Sequence, residues 1–276
     1  MNFQLAAIGF RPGNDQELYT LLSVAAERSR PVWGTSGGEQ HRLWLDGSGA
    51  GIAVHLEKRR LVCMTPWFES GTVWPVEAEG ELIDAETVHW SGGRFRINAP
   101  AGPVSGVIVQ LREFGPFRPA LKAGTRFDLK MAIMGGDVRI FPGEKEFHAA
   151  QHEFWGPNER GEAFDLPPDF LLPTGSLGES GARPRLSDMA SALIAGRIVE
   201  HRTLINSLTG RRFEWVRIQA AGLPVETVFW KSRDGTAPEP GRIALVHGWL
   251  AGKPEGVNEV EPGRPGFWKK VAGRWL

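Results

Sequence analysis

Two histidines at helical spacing have the residue types and the separation that metal binding on a helix would need. His148 and His152 stand four residues apart, as two metal ligands on one face of a helix can. Zinc needs a third protein ligand, and Glu153 would point about 100° away from His152 on a helix. A solvated or capping histidine pair is therefore favoured. The sequence predicts no metal site and no cofactor.

Neither the single cysteine nor the serine-rich turns form a catalytic motif. Cys63 lies in an apolar run, so a small buried hydrophobic residue is favoured over a nucleophile, and one cysteine excludes an intramolecular disulfide. The turns GTSGG (34–38) and DGSGAG (46–51) lack the lysine and the following helix of a phosphate-binding loop. No G-x-S-x-G occurs either. An enzyme is thus not favoured, although nothing in the sequence excludes one.

The composition indicates a soluble, mainly β protein. The 276 residues include 35 Gly, 20 Pro, 11 Trp and 15 Phe. Gly and Pro end strands, and aromatic side chains fit pleated surfaces. No run of about 18 apolar residues is present, and the N-terminus does not resemble a signal peptide, so we expect a cytoplasmic protein without a membrane partner. Net charge is zero, with basic residues in excess after position 182.

Residues 1–72 predict an α+β module of one strand, one helix and three strands. The first strand is predicted for FQLAAIGF (3–10), and Asn14 is the expected N-cap of the helix. Apolar residues alternate through 41–56 about an Asp-Gly turn, which is typical of a hairpin. The run RRLVCMTPWF (59–68) predicts a further strand.

The β-α-β-β-β order of this module resembles one half-module of the vicinal oxygen chelate enzymes. Enzymes of that family use two such modules and hold a metal ion with ligands on paired strands. The predicted first strand of this chain offers no His or Glu. The resemblance therefore implies an order of elements and does not imply a metal site.

An internal repeat relates residues 75–140 to residues 194–253. RFRI and RFEWVRI occupy equivalent places, as do AGTRFDLKMAIMGG and PGRIALVHGWLAGK. In the first segment of this last pair, Gly124 and Gly135 are 11 positions apart, and in the second segment Gly241 and Gly252 are also 11 positions apart. Each unit predicts four or five strands in meander order, a pattern of the kind expected from internal repeats.

The order of strands in each repeat, together with its last segment, resembles the oligonucleotide/oligosaccharide-binding (OB) fold, a small five-stranded barrel. The resemblance implies a mainly β protein with two OB-like barrels in tandem. The predicted domains are the α+β module (1–72), a first OB-like barrel (73–142), a helix-containing linker (143–190) and a second OB-like barrel with a C-terminal tail (191–276).

The repeat also predicts which side chains face the core. Phe95 and Ile97 alternate with arginines and face inward, so the aligned Phe213 and Trp215 are predicted to be core residues as well. In the last strand of the first repeat, the core set is Phe127, Leu129, Met131 and Ile133. The aligned core set of the second repeat is Ala244, Val246, Gly248 and Leu250.

The last strand of the second repeat then displays an apolar row where the first repeat carries charges. The four outward positions are Ile243, Leu245, His247 and Trp249. An exposed apolar row of this kind marks an interface. Packing within the chain is the favoured explanation, ahead of a protein partner and of a nucleic acid or small ligand.

These observations favour a non-catalytic binding or interaction protein, with a protein partner slightly preferred. A first alternative is single-stranded nucleic-acid binding by the basic second barrel, for which the candidate contacts are Arg211, Arg212, Lys231 and Arg233. A second alternative is an enzyme with its site between the α+β module and the first barrel. The sequence does not determine the oligomeric state.

Overall fold

A computed structural model describes residues 3–34, 38–82, 92–99, 105–112, 117, 119–155, 166–174 and 190–257. The protein is mainly β, as predicted, and its strands form a four-stranded and a nine-stranded sheet. In this described part of the chain, no helix has the length and apolar character needed to cross a membrane.

The N-terminal module begins with a helix where a strand was predicted. The elements are α1 (Phe3–Ala7), α2 (Asp15–Arg28), β1 (Arg30–Gly34), β2 (Glu39–Leu45), β3 (Ala50–Glu57) and β4 (Arg60–Phe68). The segment FQLAA contains good helix formers and no β-branched residue, and Leu5 to Ala7 are buried. Gly9 then turns the chain with φ +84°. The order is therefore α-α-β-β-β-β, which departs from the β-α-β-β-β expectation.

The second helix begins at the predicted cap. The Oδ1 atom of Asn14 accepts a hydrogen bond from the backbone N–H of Glu17 at 2.9 Å, and the Glu17 carboxylate accepts from the N–H of Gly13 at 2.6 Å. The apolar face of α2 packs against the second hydrophobic cluster, which contains Trp44 and Ile52 of the sheet. One face of the four-stranded sheet is thereby covered.

The four strands of the module form an antiparallel meander in the order β1-β2-β3-β4. The predicted hairpin is present, with β2 and β3 joined by a turn that begins at Asp46. The strand predicted for 59–68 is also present as β4, and β1 adds a fourth strand at the edge.

The nine-stranded sheet combines strands from both repeats. Its order is β11-β12-β8-β5-β6-β7-β13-β10-β9, with additional pairings of β11 with β10 and of β8 with β13. The strands are β5 (Val73–Leu82), β6 (Gly92–Asn98), β7 (Val107–Arg112), β8 (Arg126–Phe141), β9 (Phe170–Pro173), β10 (Ser191–Ile205), β11 (Arg212–Ala220), β12 (Leu223–Phe229) and β13 (Ile243–Glu255). A further helix, α3 (Glu144–Trp155), follows β8.

Two long strands connect the repeats. β8 and β13 are antiparallel and pair from Phe141 opposite Ile243 to Asp128 opposite Glu255. β12 pairs with β8, and β7 pairs with β13, both in parallel. The pairings therefore close two circuits, β5-β6-β7-β13-β8 and β10-β11-β12-β8-β13, which share β8 and β13.

The predicted core residues are buried, but not all of them face the same core. Phe95 and Ile97 lie in the large cluster inside the nine-stranded sheet, as predicted. Phe213 and Trp215 are also buried, but they pack in the second cluster, against the N-terminal module. On β11 the large cluster instead receives Val216 and the residues alternating with it. The aligned positions are thus one residue out of register, which turns every side chain to the opposite face.

Candidate metal centre

A transverse row of side chains crosses the four-stranded sheet of the N-terminal module. Trp33 of β1 lies opposite His41 of β2, His41 opposite His55 of β3, and His55 opposite Cys63 of β4. Residues directly opposite each other in an antiparallel pair project their side chains from the same face. The sheet therefore places one indole, two imidazoles and one thiol side by side.

Glu39 adds a carboxylate to this row. It precedes His41 by two positions on β2, so both side chains leave the same face. Its Oε1 atom lies 3.1 Å from Nε2 of His41 and 3.4 Å from Nε2 of His55. The two imidazole rings are stacked, with centroids 4.6 Å apart and planes at 13°. One ligand atom from each of these three residues lies within 4.8 Å of the others.

The histidines of this cluster are in the interior. His55 is 0% exposed and His41 is 3% exposed. Neither ring nitrogen of His55 has a well-aligned hydrogen-bond partner in the described part of the chain. A buried polar group without such a partner costs about 1–3 kcal/mol. The groups that His55 faces on the neighbouring strands are the Glu39 carboxylate, 3.4 Å from its Nε2, and Cys63, which lies opposite it on β4.

Electrostatics at the cluster favour a charged pair in the metal-free protein. Burial opposes protonation of His55, but hydrogen bonding and charge from Cys63 and Glu39 outweigh it and raise the pKa of His55 to about 9. Burial also opposes ionisation of Glu39, but hydrogen bonding and charge from His41 and His55 lower its pKa to about 2. A proton on His55 thus partly replaces the cation that the three ligand atoms could share.

Two of the three distances between ligand atoms are those expected around a tetrahedral divalent ion. Zinc bonds of about 2.0–2.1 Å at tetrahedral angles place neighbouring ligand atoms about 3.4 Å apart. The Glu39 oxygen already lies 3.1 Å and 3.4 Å from the two histidine nitrogens. Two histidines and one carboxylate make a known zinc ligand set, and they leave a fourth position. Cys63, next to His55 in the row, is a further soft donor.

The sequence alone does not point readily to this cluster. His41 and His55 are 14 residues apart and meet only because the hairpin fixes their register. A search at helical spacing finds His148, which lies on α3, and His152, whose side chain is outside the described residues. The available signal is the predicted hairpin itself, which sets His41 opposite His55 once its turn is placed at Asp46.

The apolar row predicted on β13 is covered by the chain itself. Ile243 and Leu245 are buried in a third cluster with Phe147 of α3 and Phe170 of β9. Trp249 is 6% exposed, and its Nε1–H donates to Oε1 of Gln110 at 2.6 Å. His247 is exposed. Three of the four candidate interface residues therefore pack inside the chain. This agrees with packing within the chain as the explanation of the apolar row.

The four candidate nucleic-acid contacts lie in the second repeat, away from the histidine cluster. All four are exposed: Arg211, Arg212, Lys231 and Arg233. Arg233 forms an ion pair with Asp137 at 3.2 Å, and the Nζ of Lys231 lies 4.7 Å from the ring centroid of Trp230.

Comparisons with protein-family models, with curated proteins and with solved structures find no match to this chain. Its function must therefore be inferred from its own geometry.

Proposed function

We propose that this protein binds a transition-metal ion of the zinc class through Glu39, His41 and His55. The observation that carries the proposal is the convergence of Nε2 of His41 and Nε2 of His55, both buried, on one carboxylate oxygen of Glu39. Neutral imidazole and carboxylate groups are ligands that zinc and its neighbours in the first transition row accept.

The surrounding sheet supports this role because it holds the ligands in place without an ion. All three ligands lie on two hydrogen-bonded strands, and the stacked imidazoles restrict each other's rotation. The edge of Trp33 packs on His41, with centroids 5.2 Å apart. Ligands on strands hold their geometry better than ligands on loops, so less ordering is needed when the ion binds.

A non-catalytic binding role remains the best account of this site. His55 and His41 are almost fully buried, so a bound ion would be held inside the module. Such a site stabilises the fold to which it is attached, because metal binding and folding are coupled. A protein partner and a cytoplasmic location stay predictions from the sequence.

We also propose that the two strand circuits are OB-like barrels that share their last strands, β8 and β13. Five strands in a closed circuit agree with the size of that fold. The supporting observations are the pairings of β8 with β13, of β12 with β8 and of β7 with β13. The predicted segments 73–142 and 191–276 then form one unit. Expressing 73–142 alone would leave its circuit without β13, and we expect this fragment not to fold.

Zinc titration of the purified, chelator-treated protein tests the metal proposal. We expect one Zn²⁺ per chain and a loss of affinity of more than about 100-fold in His55→Gln, because removing even an outer partner of a zinc ligand costs about 10- to 100-fold. Zinc at about 100 times its dissociation constant adds roughly 2.7 kcal/mol of stability and raises Tm by about 5–10 °C.

The matched control is His201→Gln. His201 also contacts a strand glutamate, with Nε2 2.7 Å from Oε2 of Glu214, but it lacks a second histidine in the group. This variant should bind zinc like the unaltered protein. Equal zinc affinity in His55→Gln and His201→Gln would refute the proposed site.

A further inference from the structure

A cleft of about 540 Å³ lies where α1 crosses the nine-stranded sheet, outside the metal centre. Gly135 and Gly136 of β8 line it and carry no side chain that would fill it. The ring of Phe3 lies directly against Gly136, where an added Cβ would come within 2.9 Å of it. Trp230, which follows β12, lines the cleft as well.

Two aromatic side chains on this cleft are accessible. Phe3 is 41% exposed and Trp230 is 38% exposed, and both are among the large hydrophobic side chains that the fold leaves uncovered. Exposed rings beside a groove are platforms on which planar groups stack. The cleft therefore suits a ligand that contains a flat ring.

Positive charge surrounds Trp230. The guanidinium of Arg11 lies 4.4 Å from the indole centroid, and the Nζ of Lys231 lies 4.7 Å from it. Burial and the nearby charge of Arg211 lower the pKa of Arg11. Within the described residues, Arg11, Arg211 and Lys231 have no acidic partner, whereas Arg233 is paired with Asp137. Lys231 lines the cleft and Arg11 lies over the same indole, so positive charge without an acidic partner beside Trp230 favours an anion.

We propose that this cleft binds a nucleotide unit of a single-stranded nucleic acid, with the base on the aromatic rings and the phosphate on the cations. A nucleotide carries a flat base and a phosphate separated by one sugar, which match the aromatic rings and the positive charge of the cleft. Arginine binds phosphate with paired hydrogen bonds, and aromatic stacking accepts any base. Two of the cations, Arg211 and Lys231, are among the contacts predicted from the sequence. Arg11 is not, because only the fold brings residue 11 to the second repeat.

Fluorescence anisotropy of a labelled oligothymidylate of about 12 nucleotides tests this inference. We expect measurable binding at about 50 mM salt that weakens steeply towards about 200 mM. Lys231→Gln and Arg11→Gln should each weaken binding and reduce the slope of log affinity against log salt by about 0.7. Trp230→Ala should weaken binding by about 10-fold or more, and Trp230→Phe should retain most of it.

Matched controls remove the same charges elsewhere. Lys145→Gln on α3 and Arg28→Gln on α2 alter exposed cations for which the described residues provide no ion pair, and both should bind like the unaltered protein. His55→Gln should also bind the oligonucleotide normally. The two proposals can therefore fail independently, one by zinc titration and the other by anisotropy.

Competition identifies the source of the ligand. Adenosine monophosphate should displace the labelled strand, but more weakly than an unlabelled strand, because a single nucleotide reaches fewer cations. Equal competition by the mononucleotide would replace the strand by a free nucleotide as the ligand. The cleft proposal is overturned if no oligonucleotide binds at about 50 mM salt. Unchanged binding in Trp230→Ala, or competition by inorganic phosphate or polyglutamate as effective as that by the mononucleotide, would also overturn it.

Discussion

Zinc binding should expel one proton from His55, because that histidine is charged in the metal-free protein. With a pKa of about 9, the ring carries a proton in about 99 of 100 molecules at pH 7. A metal ion binds only the deprotonated nitrogen. We therefore expect close to one proton to be released per zinc ion bound at pH 7. If the pKa of His55 were at the ordinary value of 6.5, the ring would already be neutral at pH 8, and zinc binding at that pH would release almost no proton.

The same charge sets the pH dependence of the zinc affinity. Deprotonating His55 at pH 7 costs a factor of about 100, which corresponds to roughly 2.7 kcal/mol. The apparent affinity should rise about tenfold from pH 6 to 7 and about ninefold from pH 7 to 8, and it should level off above pH 9. The groups that hold the proton are Cys63, opposite His55 on β4, and Glu39, whose Oε1 atom lies 3.4 Å from Nε2 of His55.

Calorimetry measures the released protons directly. The heat of zinc binding is determined at one pH in two buffers that do not bind zinc and differ in ionisation enthalpy. The NMR titration of histidine-labelled, metal-free protein gives the pKa of His55, with His55→Gln for assignment. A midpoint near 6.5, together with zinc affinity independent of pH between 7 and 8, would refute this account of the charge at the site.

Further predictions concern the stability of the metal-free fold. The contribution of His55 to the free energy of unfolding should be complete below about pH 6.5 and lost as the pH rises through about 9. The contribution of Glu39 should be lost as the pH falls from about 4.5 to about 2. Urea unfolding should therefore show this part of the stability at its maximum between about pH 4.5 and 6.5. Gly196→Ala would place a Cβ 2.1 Å from a backbone carbonyl oxygen of β11 and should cost at least about 2–3 kcal/mol in urea unfolding. Gly47→Ala, where an added Cβ meets nothing within 4 Å, should change that free energy little. Asn14→Ala should cost about 1 kcal/mol by removing the cap of α2, and an unchanged midpoint would contradict that role.

Local patterns in the sequence predict the local structure of the chain well. Asn14 predicts the start of α2, and alternation about Asp46 predicts the β2–β3 hairpin, because both signals lie within a few residues. The segment from Phe3 is ambiguous, since an apolar run of this length fits a strand or a short helix, and burial against the rest of the fold decides between them.

Contacts between distant segments could not be predicted in the same way. The repeat predicts that β8 and β13 are equivalent strands, but the sequence does not show that each completes the circuit of the other. The metal centre depends on register across two strand pairs, and the cleft depends on the docking of α1 on β8. A one-residue error in the aligned repeat was enough to assign Phe213 to the wrong core.

A buried carboxylate connects the N-terminal module to the nine-stranded sheet. Glu226 of β12 is 5% exposed, and its Oε1 accepts hydrogen bonds from the N–H of Gly71 at 3.0 Å and from Oγ1 of Thr72 at 2.8 Å. Its Oε2 accepts from Nε1 of Trp215 at 2.9 Å. A buried charge is tolerated only with such partners, so these groups fix one arrangement of the link that follows β4. Because β4 carries Cys63 beside His55, the link that these contacts hold directly follows the strand next to the proposed metal ligands.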